Sequence, residues 1–229
     1  MQHKINGSIM QTLDITLQPG EKVFCESGGM AWMDSNIEMT TSTRGGVMKG
    51  LGRMLSGDSF FLTTYSTSQG EGKVTFASEY PGKIIELDMG GKSFICQKDA
   101  FMCAEDSVQL EMHFRKKLGA GLVGGEGFIF QKLSGGGKAF VEIDGEVTEL
   151  NLHAGETIKV DPGHIALFES TVNMDWTTTK GFKNILFSGE GWFLATLTGP
   201  GKVWLQSMPL INLVKKIIPH LPKPRNNRN

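Results

Sequence analysis

Apolar and polar positions alternate with a period of two through most of this chain. In SIMQTLDITL (8–17), Ile9, Leu13, Ile15 and Leu17 share one side, while Asp14, Thr16 and Gln18 point the other way. That is the signature of a half-buried strand. Pro19-Gly20 turns the chain, EKVFCE (21–26) predicts a second strand, and Ser27-Gly28-Gly29 breaks it before MAWM (30–33). The same pattern returns 135 residues later in LHAGETIKVDPGHIAL (152–167), with Leu17/Leu152, Gly20/Gly155, Glu21/Glu156, Val23/Ile158, Gly28/Gly163 and Met30/Ile165 in register. A weaker middle copy, GKSFICQKDAFMC (91–103), stands at an offset of 71 from the first.

Each half-pattern is followed by a spacer and then a regular landmark, an acid between small residues ahead of an aromatic. The landmark reads Gly57-Asp58-Ser59-Phe60, Gly125-Glu126-Gly127-Phe128 and Gly189-Glu190-Gly191-Trp192. It opens FFLTTY (60–65), FIFQKL (128–133) and WFLATL (192–197). A Gly-x-Gly-Lys turn comes next, at 70–73, 135–138 and 199–202, and then VTF (74–76), AFV (139–141) or VWL (203–205). An apolar run on either side of a glycine-containing loop predicts a β-hairpin, with Gly72, Gly137 and Gly201 as its structural turn residues. These glycines lie 65 and 64 residues apart.

That period predicts three tandem β-sandwich repeats of about five strands each, roughly fifteen in all. The units run over 1–80, 81–145 and 146–207, in an all-β, pseudo-three-fold arrangement. Residues 208–229 form a tail. In MPLINLVKKIIP (208–219), Leu210, Leu213, Val214, Ile217 and Ile218 share one helical face with Lys215 and Lys216 away from it. Pro209 suits a first turn, Pro219 ends the helix, and the polar remainder predicts disorder. The first spacer, TRGGVMKGLGRML (43–55), is amphipathic at helical spacing but glycine-rich. The second (108–123) begins with strand-like alternation, and the third (173–187) reads as more strand.

Composition supports the all-β reading. Glycine supplies 30 of 229 residues, roughly twice its average share of about 7%. Net charge is −1, from 23 basic and 24 acidic side chains, so no general attraction to nucleic acid is expected. The three cysteines are an odd number without a CxxC spacing, which predicts reduced, partly buried thiols. No leader pattern and no 18-residue apolar stretch is visible, so a cytoplasmic location is expected.

Candidate chemistry is sparse. Val74, Ala139 and Val203 follow the turn lysines where a phosphate-binding loop needs Ser or Thr and a helix. Asp58, Glu126 and Glu190 would form an acidic ring if the units close around an axis, able to bind a cation or share protons; the alternative is that each caps its own turn. GETIKVDPGH (155–164) resembles the second motif of metal-binding cupins, yet no HxH occurs, and His164 corresponds to Gly29 and Ala100. His113 and His153 lack partners at ligand spacing. Cys25 and Cys96 occupy equivalent positions, with Val160 in the third copy, which argues for packing. No Ser/His/Asp or Cys/His set can be assembled, and no cofactor is indicated.

GLGRMLSGDSFFLTT (50–64), the Gly189–Trp192 landmark and LTGPGKVWLQSMPL (197–210) resemble a widespread bacterial family whose eukaryotic relatives are the altered-inheritance-of-mitochondria, or mitochondrial biogenesis, proteins. The resemblance runs from about residue 5 to 221. It implies a triplicated fold similar to the subunit of the tryptophan RNA-binding attenuation protein, within the double-stranded β-helix group. RNA binding is not implied, because Lys73, Lys138 and Lys202 are the clearest repeated basic positions. The expected function is a non-enzymatic, self-associating scaffold. Residues 44–55 and 208–221 are its candidate contacts with a partner protein or a membrane surface. A small-ligand or metal-binding module is the alternative, and RNA binding by fold analogy a weaker one.

Overall fold

The computed structural model describes residues 1–26, 28–42, 61–116, 127–178 and 193–222. These residues form an all-β protein of nineteen strands in four antiparallel sheets, with one short α-helix near the C-terminus. The first sheet is ordered β1 (Gln2–Asn6), β2 (Thr12–Leu17), β7 (Gly72–Ala77), β4 (Met30–Met33). The second is β5 (Glu38–Ser42), β6 (Leu62–Ser66), β3 (Lys22–Glu26), β10 (Phe101–Glu105), β13 (Lys138–Asp144), β8 (Gly82–Asp88). The third is β11 (Val108–Lys116), β12 (Phe128–Gly135), β9 (Phe94–Gln97), β16 (Ile165–Glu169), β19 (Gly201–Gln206), β14 (Val147–Leu152). The fourth is β15 (Thr157–Val160), β18 (Phe193–Thr198), β17 (Asn173–Thr178).

Pairing recurs every six strands. The triplets β2-β7-β4, β8-β13-β10 and β14-β19-β16 have one order, and β3-β6-β5, β9-β12-β11 and β15-β18-β17 another. Each middle sheet is a composite, joined where β10 pairs with β3 and where β16 pairs with β9. A shared register shift marks the recurrence, falling between Met30 and Trp32, between Phe101 and Cys103, and between Ile165 and Leu167. An extra residue at the same place in all three bends each strand alike.

Three apolar cores fill the spaces between successive sheets. Leu13, Ile15, Leu17 and Phe76 anchor the first, Phe94, Leu133 and Val141 the second, and Phe130, Phe168 and Leu197 the third. Full burial of one such side chain is worth about 1.5–3 kcal/mol. The alternation read from residues 12–17 is therefore correct, but Ile9 lies outside the strand and is 62% exposed. About fifteen strands is an undercount, because the pattern holds six strands, not five, and β1 adds one more.

The Gly-x-Gly-Lys segments turn the chain, but not as hairpins. β6 and β7, β12 and β13, and β18 and β19 belong to different sheets, so each turn is a corner between layers. The repeated glycine is explained by close approach. A Cβ on Gly72 would strike Ile37, one on Gly137 would strike Glu105 and Ser107, and one on Gly201 would strike Thr171 and Val172. All three obstacles lie at or just after the end of β4, β10 or β16. Gly137 and Gly201 also have φ of 82° and 142°, which favour glycine.

The tail forms α1 (Leu210–Ile217), followed by a 3-10 turn over Ile218–His220. Leu210, Leu213 and Val214 are half-buried as the apolar face requires, but Ile217 and Ile218 are 46% and 41% exposed. The packed face is rotated toward Ile211, which approaches Gly163. The first spacer lies outside the described residues. The second and third open as β11 and β17.

Candidate functional site

A cavity of about 960 Å³ lies where elements of all three pattern copies converge. Strand order explains the convergence. Met30, Phe101 and Ile165 pair with Phe76, Val141 and Leu205, so the next residues, Ala77, Glu142 and Gln206, are equivalent; all three line the cavity. The connections from β3 to β4, β9 to β10 and β15 to β16 meet there too, contributing Gly28, Asp99 and Gly163 at one equivalent position. The middle copy thus places two acids where the outer copies have glycine, alanine or glutamine.

Burial dominates the electrostatics. It pushes the Glu142 carboxyl up to about 7, reinforced by the charges of Glu79, Asp144 and Asp99 and opposed by the Glu79 N–H it accepts at 3.1 Å. Asp144 rises to about 6, again chiefly from burial and then from Asp99, although it accepts the Leu210 N–H at the start of α1. Glu26 is raised by burial while accepting Gln131 Nε2 at 2.6 Å and facing Lys98. Tyr80 is held above its usual range by burial and by the surrounding carboxylates. Met30, Phe101, Met102 and Phe128 give the cavity apolar lining beside these acids, and Leu210, Ile211 and Val214 of α1 add to it.

His164, the three cysteines and the turn lysines do not line the cavity. Asp58, Glu126 and Glu190 lie outside the described residues. His164 belongs to the 3-10 turn Pro162–His164, with Nδ1 2.7 Å from the Gln206 carbonyl and Nε2 3.5 Å from Asn212 Nδ2, so it ties β19 and α1 together. No cluster of three metal-ligating side chains exists among the described residues. Cys25, Cys96 and Cys103 are free and buried; burial raises all three thiols, Cys96 to about 12, the opposite of what a nucleophile needs. Two turn lysines are engaged: Lys138 pairs with Glu86, and Lys202 with Glu149 at 2.5 Å. The acids Glu79, Asp99, Glu142 and Asp144 were missed. The available signal was divergence: Asp99 stands where the copies have Gly28 and Gly163.

Fold and cavity together define an all-β protein with a shared internal cavity and, among the described residues, no assembled metal cluster. The chain belongs to the mitochondrial biogenesis AIM24 family, whose model matches residues 3–208. An uncharacterised protein of Streptococcus pyogenes serotype M6 is 29% identical over 222 residues, covering 93% of this chain and 88% of its own. A Streptococcus pyogenes protein with an X-ray crystal structure from a structural genomics consortium is 25% identical. It superposes with a TM-score of 0.77 over 96% of this chain and 99% of its own. No helix among the described residues is long and apolar enough to cross a membrane.

Proposed function

We propose that this chain is a non-enzymatic scaffold of three β-sandwich units that self-associates through sheet edges. One observation carries the reading. Cys103 and Leu167, at equivalent positions of β10 and β16, are fully buried, and each reaches into the core of the preceding unit. Trp32 occupies that position in β4 and is 56% exposed, with no strand paired on that side of β4 among the described residues. At the other end, β15 keeps an outer edge without a strand partner among the described residues. Unpaired edges are templates for another chain, and a large aromatic is a favoured anchor.

The receiving edge is guarded. Lys159 stands in β15 where Phe24 and Ile95 stand in β3 and β9, and a charge on an edge strand restrains open-ended addition. A small, reversible assembly is therefore expected. Sedimentation velocity over a range of concentrations tests it. The native chain should sediment faster as concentration rises, and Trp32→Lys should remain a monomer. A concentration-independent monomer would end the proposal.

The cavity favours a second reading, a small-ligand module. Its buried carboxylates and apolar wall suit an organic ligand, held by a few polar groups against hydrocarbon.

A further inference from the structure

The cavity combines features that specify a ligand's chemistry. Glu79, Asp99, Glu142 and Asp144 face one another's charges across it, with Lys98 the only basic side chain among the described lining residues. Among the described residues no group of three such side chains could hold a metal ion. Ser78, only 7% exposed, sits in the same wall, and its hydroxyl has no hydrogen-bond partner among the described residues. A buried hydroxyl left unpaired costs about 1–3 kcal/mol. Apolar Met102, Phe128 and Val214 share the lining with the acids.

We propose that this cavity binds an aliphatic polyamine, with its ammonium groups on Glu79, Asp99, Glu142 and Asp144 and its methylene chain along the apolar wall. Several ammonium charges joined by hydrocarbon match several carboxylates lining a partly apolar cavity in which no metal cluster is assembled among the described residues. The proposal deepens the ligand-module reading and is independent of self-association.

Proton linkage gives the site a pH signature. Burial holds Glu142 at about 7 and Asp144 at about 6, with Glu26, Glu79, Asp99, Tyr80 and Lys98 as the other ionisable neighbours. A cation favours the ionised carboxylates, so binding releases protons and strengthens as pH rises through this window.

Isothermal titration of the full-length protein with spermidine at pH 7.5 and pH 5.5 tests the proposal, with Mg²⁺ and 1,6-hexanediol as comparison probes. Saturable spermidine binding at pH 7.5 is expected, at least tenfold weaker at pH 5.5 and at least tenfold weaker in Glu142→Gln and Asp99→Asn. The surface variant Glu38→Gln should bind like the native chain. Thermal unfolding establishes that each variant folds. Should Asp99→Asn not fold, Glu142→Gln and the cavity-filling Val214→Trp carry the test, because the amide carbonyl that Glu142→Gln introduces can still accept the Glu79 N–H. No binding at millimolar spermidine, equal affinity at both pH values, equal affinity in the folded cavity variants, or displacement by Mg²⁺ at equal concentration would each overturn the proposal. None of these outcomes bears on the sedimentation behaviour of Trp32→Lys.

Discussion

Among the described residues two edge-to-edge joints are made inside the chain, and the equivalent third is not. Where β16 meets β9, Leu167, Phe168 and Glu169 pair with Cys96, Ile95 and Phe94, and Leu167 is fully buried. Where β10 meets β3, Ala104 and Glu105 pair with Phe24 and Val23. On β4, with the same bulge and the same register to β7, Trp32 stands 56% exposed. One backbone position therefore has two fates, buried where β10 and β16 join a neighbouring strand and exposed on β4. Burial here is a property of the joint, not of the residue, since the smaller Cys103 is buried and the larger Trp32 is not.

The largest expected effect lies at the made joint. Leu167→Ala removes a fully buried side chain and should destabilise the fold by about 2–5 kcal/mol through lost transfer energy and a cavity. Trp32→Ala at the open edge should cost under about 0.5 kcal/mol in a dilute monomer. Urea unfolding of both variants measures the contrast, and comparable losses would erase it.

A smaller effect concerns the meeting point of the three units. Glu142 and Asp144 have folded-state pKa values above their ordinary ones, at about 7 and about 6. The folded protein then binds more protons than the unfolded chain between about pH 4 and 7, so stability from these two groups is lost as pH rises through that range. Glu142→Gln should flatten the decline and be more stable than the native chain at pH 8. A native stability that rises between pH 5 and 8, or an unchanged slope in the variant, would contradict the assignment.

The smallest effect is at the tail. Ile217, Ile218 and Leu221 are exposed, so Ile218→Lys should leave the melting temperature within about 1–2 °C of native. Val214→Ala, on the half-buried cavity side, should lower it measurably. If residues 208–221 also contact membranes, anionic-vesicle co-sedimentation should weaken in Ile218→Lys; equal recovery of both proteins would remove that role.

Much of the fold was legible in sequence because strand alternation and the 135-residue register between Gly20, Gly28, Met30 and their counterparts are local patterns. The corners were misread for a physical reason. Two apolar runs around a glycine look alike whether the strands pair or pass into different layers, and only the contacts at Ile37, Ser107 and Thr171 reveal which glycine atoms are crowded. The cavity was less legible still. Asp99 and Glu142 lie 43 residues apart, in a 3-10 turn and a strand whose meeting depends on the pairing of β10 with β13. Single-sequence patterns draw the eye to repeated acids, whereas the acids here stand out by being unrepeated.

The scaffold reading turns on whether β4 and β15 are free edges that another copy occupies. Hydrogen–deuterium exchange at low and high protein concentration tests this most directly. The account predicts that amides of Met30–Met33 and Thr157–Val160 gain protection as concentration rises, while those of β3, β10, β9 and β16 are protected throughout. Unchanged exchange at both edges across the concentration range would contradict it.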